Sequence, residues 1–272
     1  MSTINVDNLL PVSFGTVNVN GARINGNISN QSFRISSDTN SVQGLNNTVF
    51  GFQAGAQLTS GSNANTILGR QAGANLTSGI NNTAIGASTL VNSTTSNGNT
   101  CVGIQSGALT TGDYNTGIGY NAGDSTTTGN NNVALGAFAN QASSTTSNSI
   151  TLGNVSHNVL RCAVTSITSL SDARDKKDVS DLRAGLEFVK ALRPVEFVWD
   201  DRDELGRHDI SDFGFIAQDL KAAQEDVEMA DILKLVYDEN PEKLEASYGK
   251  LIPILVKAIQ ELTAKVELLE SK

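Results

Sequence analysis

The sequence predicts a multidomain chain: a trimeric parallel β-roll or β-solenoid stalk, then a small α+β domain that ends in a long trimeric coiled-coil helix. Three observations carry this. A five-residue phrase ending in glycine returns about every 17 residues between 46 and 153. Charge is nearly absent before residue 171: residues 1–170 hold eight charged side chains, and residues 171–272 hold thirty-nine together with the whole formal charge of −9. Apolar residues between 248 and 269 step alternately by 4 and 3. Two differently built units meet near residue 171.

Residues 1–45 read as extended segments, with VSFGTVNVNGARING and the alternating SFRIS at 32–36, punctuated by glycine and asparagine turns. They do not repeat. The expectation is an attachment and capping segment that seals the first rung of the repeat array, because terminal units of a solenoid must be atypical to stay soluble.

From residue 46 the phrase recurs as NTVFG, NTILG, NTAIG, NTCVG, NTGIG, NVALG and SITLG, its glycines Gly51, Gly69, Gly86, Gly103, Gly119, Gly136 and Gly153 spaced by 18, 17, 17, 16, 17 and 17. Before each glycine stands an apolar residue (Phe50, Leu68, Ile85, Val102, Ile118, Leu135, Leu152), and three places after it a small one such as Ala54, Ala72 or Ser106. The pattern suits a coil with one short strand per turn, glycine supplying backbone angles that other residues avoid and stacked Asn side chains bonding along the coil. About seven rungs at the inter-strand spacing rise roughly 30 Å. Each rung has one strongly apolar position, too little burial to offset the entropy of ordering about 17 residues, so three chains wound on one axis are expected. The phrases resemble the head repeats of trimeric autotransporter adhesins, close to N-S-V-A-I-G, which implies a left-handed parallel β-roll trimer over 46–153; an array of other handedness or section fits the same spacing. Residues 154–170 leave the repeat and are expected to form further strand, intertwining the chains.

In the last hundred residues Ser180 reads as an N-cap, with Leu182, Leu186, Val189 and Leu192 at helical spacing ahead of Pro194. VEFVW at 195–199 is a strand, DDRDELGRHD a polar turn, and DFGFIAQDL a passage from strand to helix. Phe197, Trp199, Phe213 and Phe215 are expected in the core of this domain. Tyr248, Ile252, Leu255, Ile259, Leu262, Val266 and Leu269 form the a/d seam of a coil about three heptads long. The same spacing fits an amphipathic helix packed on its own domain; the trimer seam is preferred because the array independently asks for three chains.

At the junction stands Ser171-Asp172-Ala173-Arg174-Asp175-Lys176. On spacing alone Ser171 caps a turn and Lys176 and Lys177 are solvated, although a lysine whose pKa is lowered by burial or cations can serve as base for a serine nucleophile. Taken with LRPVEFVWDD, DFGFIAQDL and the final heptads, the junction resembles the opening S-D-x-R-L-K of the intramolecular chaperone autoprocessing domain, peptidase S74, found at the ends of phage tail fibres, tailspikes and endosialidases. Asp175 stands where that pattern has leucine. The resemblance implies a chaperone domain over 171–272 with Ser171 as nucleophile, Lys176 as general base, and a cut at Leu170–Ser171.

The function expected is therefore a viral tail fibre or tailspike whose C-terminal domain trimerises the chain and then removes itself, one turnover per chain. Expected partners are two further copies, tail or baseplate proteins at the N-terminal segment, and a host cell-surface receptor. A trimeric surface adhesin and a polysaccharide-acting tailspike enzyme are the alternatives. The adhesin would need a secretion signal, and MSTINVDNLLPVSFG has neither a basic nor an apolar leader region. The enzyme would need paired acids, and 46–160 offer only Asp113 and Asp124. No run approaches the roughly 18 apolar residues of a membrane span. The protein is expected in the virion tail, made in the host cytoplasm. Net acidity speaks against nucleic acid. Cys101, Cys162, His157 and His208 have no metal-type spacing, so no metal or cofactor is expected and both thiols read as buried.

Overall fold

The computed structural model describes residues 33–35, 46–157, 159–163, 167–200 and 209–272. Most of the expected capping segment 1–45, His208 and the turn at 201–208 lie outside these residues.

Residues 46–153 wind as a coil with one three-residue strand per turn. Strands β2 (Thr48–Phe50), β3 (Thr66–Leu68), β4 (Thr83–Ile85), β5 (Thr100–Val102), β6 (Thr116–Ile118), β7 (Val133–Leu135) and β8 (Ile150–Leu152) follow one another in a parallel sheet. The register stacks like on like: Thr66 faces Thr83, and Val102 faces Ile118. At the open edge β1 (Phe33–Ile35) pairs antiparallel with β2.

Two columns make the turns stack. Gly86 has φ +137°, and a Cβ placed on it would lie 2.4 Å from the Gly103 carbonyl oxygen. Both facts demand glycine, and Gly69 and Gly103 repeat them. Ahead of each strand from β2 to β7 stands a buried Asn, and Asn82 shows how such a residue joins three rungs. The Asn82 backbone N–H donates to Asn65 Oδ1 at 2.9 Å, Asn82 Nδ2 donates to the Ser96 carbonyl at 2.8 Å, and Asn82 Oδ1 accepts from Asn99 N–H at 3.0 Å. The ladder runs on through Asn115 and Asn132 to the Ser149 N–H. These bonds satisfy buried backbone groups that a loop in the interior would otherwise strand.

The interior is not built from the apolar residue before the glycine. In a three-residue strand only the middle side chain points inward, so Val49, Ile67, Ala84 and Cys101 are buried with Ala54, Leu58, Ala72, Leu76 and Leu90. The pre-glycine residues face outward: Phe50, Leu68, Ile118, Leu135 and Leu152 are 37–56 % exposed, and Ile85 and Val102 half-buried. Nor is there a strand among the described residues of 154–170, where Ile167 and Leu170 lie fully in solvent. A strand needs a neighbour to bond with, and within one chain none is offered there.

The second unit comprises α1 (Leu186–Ala191), β9 (Val195–Val198), β10 (Ser211–Gly214), α2 (Ala217–Asp226), α3 (Ala230–Leu233), β11 (Val236–Tyr237), β12 (Glu245–Ala246) and α4 (Leu251–Glu270). Its core gathers Ala184, Phe188, Ala223, Met229, Leu233, Leu235, Leu251 and Ile254. Helix α1 starts six residues after the expected cap Ser180, because its first free N–H, that of Leu186, is taken by Glu261 Oε2 of α4 at 2.8 Å. Gly185 leaves room for that carboxylate; a Cβ there would come within 2.5 Å of it. Of the four aromatics expected in the core, Phe215 packs against it, and the other three do not. Phe213 pairs with Glu196 across the β9–β10 hairpin, which puts it on the face opposite Phe197, and it is 79 % exposed. Phe197 and Trp199 instead meet edge to face at 5.3 Å, half-buried.

Candidate functional site

The Ser171–Lys176 turn is made by local chemistry. The Asp172 carboxylate accepts from the Arg174 N–H at 2.8 Å and caps a single 3-10 turn over Ala173–Asp175. The Asp175 and Lys176 N–H groups bond back to the Asp172 and Ala173 carbonyls. The turn brings residues five apart together: Lys176 Nζ donates to Ser171 Oγ at 2.6 Å and to the Ser171 carbonyl at 3.2 Å. Arg174 closes on Asp172 at 2.6 Å, and this pairing holds the Asp172 carboxyl below the usual carboxylate range. Its charge is thus engaged with Asp172 rather than turned on Lys176. Residues 167–181 are all exposed, Leu170 completely. The hydroxyl and amine are aligned; the burial expected around Lys176 is absent in one chain.

Of the seven seam positions, six project from α4 into solvent: Ile252, Leu255, Ile259, Leu262, Val266 and Leu269. The opposite face of α4 packs on its own domain through Leu251, Ile254 and Ala258. Tyr248 departs from the expectation. It sits in the 3-10 turn before the helix, its hydroxyl donating to the Phe215 carbonyl at 3.2 Å and accepting from the Phe215 N–H at 3.1 Å. It is a strut within the domain.

A contact with no sequence signal joins the two units. Thr146 Oγ1, in the loop between β7 and β8, donates to Glu239 Oε2 at 2.7 Å, and Asn240 Nδ2 donates to the Ala142 carbonyl at 3.1 Å. Glu239 and Asn240 both lie on the β11–β12 connection. Burial first and Glu239 second push the Tyr237 hydroxyl beside them up to about 12.

Cys101 is buried and burial raises its thiol to about 12, whereas Cys162, expected to be buried, is exposed. His157 Nδ1 bonds the Asn154 N–H at 3.1 Å. Among the described residues no three His, Cys, Asp or Glu side chains converge on a metal-sized site, and no helix is long and apolar enough to cross a membrane.

No curated protein and no solved structure matches the chain. Residues 171–228 match the family model Peptidase_S74, the chaperone of endosialidase, and the match opens on Ser171 itself.

Proposed function

We propose that the chain is a subunit of a trimeric phage tail fibre or tailspike, whose C-terminal domain assembles three copies and then cuts itself away at Leu170–Ser171. The observation that carries this reading is the family match beginning at a serine whose Oγ lies 2.6 Å from Lys176 Nζ. Two outward rows of apolar side chains, one on the coil and one on α4, support the trimer, since contiguous exposed apolar surface marks a protein contact. The N-terminal segment would then face the tail, and the coil exterior the host receptor.

The chemistry needs only water as co-reactant. Ser171 Oγ attacks the Leu170 carbonyl carbon while its proton passes to Lys176 Nζ. The tetrahedral adduct collapses with rupture of the Leu170–Ser171 C–N bond, and the same proton leaves on the Ser171 amine. Water hydrolyses the resulting Leu170 ester, regenerating the hydroxyl. A lysine serves as base when it is dehydrated, so closure of three chains over the exposed turn is what switches the reaction on. Cleavage leaves the assembled stalk kinetically trapped, without the unit that ordered it.

Intact mass under native and denaturing conditions tests both halves. The parent should give a trimer and two fragments divided after Leu170; Ser171→Ala should give a trimer of full-length chains. A Ser171→Ala chain still cut at that bond removes Ser171 as nucleophile.

A further inference from the structure

The coil turns inside out along its length. The inward residue of the strand goes from Val49 and Ile67 in β2 and β3 to Gly117, Ala134 and Thr151 in β6, β7 and β8. Seven places after the glycine, Leu58 and Leu76 give way to Thr110 and Thr126. The lower interior is an alanine cluster of Ala122, Ala134 and Ala139, with a polar bond from Thr126 Oγ1 to Gln141 Oε1 at 2.7 Å. The exterior changes the other way. The first outward residue of the strand is Thr in β2 to β6 and becomes Val133 and Ile150 in β7 and β8. Ile150 is 71 % exposed and Leu152 56 %.

We infer that the outward face made by Val133, Leu135, Ile150 and Leu152 is where the coils of copies gathered by the C-terminal domain first close on one another, so that the stalk closes from its cleavage end upward. This rests on the trimer reading and adds a place and a direction to it. The lower rungs combine an interior of small side chains with a strand that is apolar at both outward places, as in an obligate interface that resembles a core divided between subunits. Their interior buries too little to offset the ordering of the chain. A second copy fits this face because the coil carries only Arg70, Asp113 and Asp124 as charges, none of them in β7 or β8, so like surfaces approach without repulsion. The loop into β8 is also the one held by Glu239 and Asn240. That hold presents the face beside the domain whose α4 row is itself exposed, and both surfaces seek the same partners.

The test uses the full chain with Ser171→Ala, diluted from denaturant, with the trimer confirmed by native mass spectrometry and closure of the coil followed over time by protection of its amides from hydrogen exchange. Val133→Thr with Ile150→Thr installs the residue that five other strands already carry at that place, so the turn itself is kept. This pair should slow closure of the coil about tenfold or more, because it removes apolar contact from every chain at the closing face. Leu68→Thr with Ile85→Thr, in the upper coil, should change the rate by less than about threefold, since contacts made after the transition state act on unfolding. In pulse-labelled hydrogen exchange the Gly136 and Gly153 amides, bonded to the Ile118 and Leu135 carbonyls, should be protected before those of Gly69 and Gly86. Equal slowing by both pairs, no slowing by the lower pair, or the reverse order of protection overturns the direction of closure and leaves the trimer standing. A monomeric parent chain overturns both.

Discussion

The two halves of the molecule solve the same problem with opposite means. The C-terminal domain is held by a conventional apolar core around Phe188, Leu235 and Ile254, with exposed pairs such as Lys190–Glu187 and Arg193–Asp219 at its surface, which contribute little each. The coil has almost no charge and a narrow interior. Its order comes from backbone stacked on backbone at the glycines and from asparagine amides passed rung to rung. A core of the first kind tolerates repacking and forms from near neighbours in sequence; a stack of the second kind demands one register and gains nothing from a near miss. The difference explains why a unit that folds locally would be attached to one whose register is non-local and slow to find.

The comparison breaks most visibly at a glycine. Gly86→Ala sets a Cβ against the Gly103 carbonyl at a φ of +137°, and should cost the coil about 3 kcal/mol or more per chain, read as a lowered midpoint of its unfolding with the α4 helical signal unchanged. Next is Asn99→Ala, which strands the Asn115 N–H and the Gly112 carbonyl that its side chain now satisfies at 2.8 and 2.9 Å. About 2–4 kcal/mol is expected from two buried unpaired groups, and a loss below about 0.5 kcal/mol would show that the ladder is ornamental.

Acid should separate the halves most gently. Asp172, Glu187 and Asp238 are held below their ordinary values by Arg174, Lys190 and Lys221. Their stabilisation is present above the unfolded values of 3.8 and 4.5 and is withdrawn as pH falls through the lower folded ones. In the coil Asp124 is shifted upward by burial, the opposite sign. Fluorescence of Trp199, the single tryptophan, should therefore change below about pH 4 while the β signal in circular dichroism persists. Simultaneous loss of both signals would mean that the halves do not differ in this respect.

Much of the molecule is legible in its residues, for physical reasons that also mark where reading stops. The glycine period locates every strand of the coil, because a position with φ near +130° and a carbonyl against its α-carbon admits one residue type. The 4–3 spacing locates α4, and the i, i+5 spacing of Ser171 and Lys176 becomes a contact once Asp172 caps the turn. Inward and outward faces, by contrast, are not legible in the residues. A strand of three residues is too short to display alternation, and a narrow coil selects its interior by size, so Ala84, Cys101 and Gly117 hide the core from any hydrophobicity count. Helix α1 begins later than its local pattern suggests because its cap comes from Glu261, seventy-five residues away. The Glu239–Thr146 bond has no local signature at all, being a meeting of two loops.

The asparagine ladder also makes length a free variable. Each inner rung presents to the next the acceptor it takes from the one before, and the turns of 18 and 16 residues show that the loops absorb single insertions and deletions. Excising or duplicating one such unit would leave an unbroken stack, shorter or longer by about 4.8 Å, without altering the junction at either end. The coil could then be lengthened or shortened over generations in whole steps, while the C-terminal domain stays as it is.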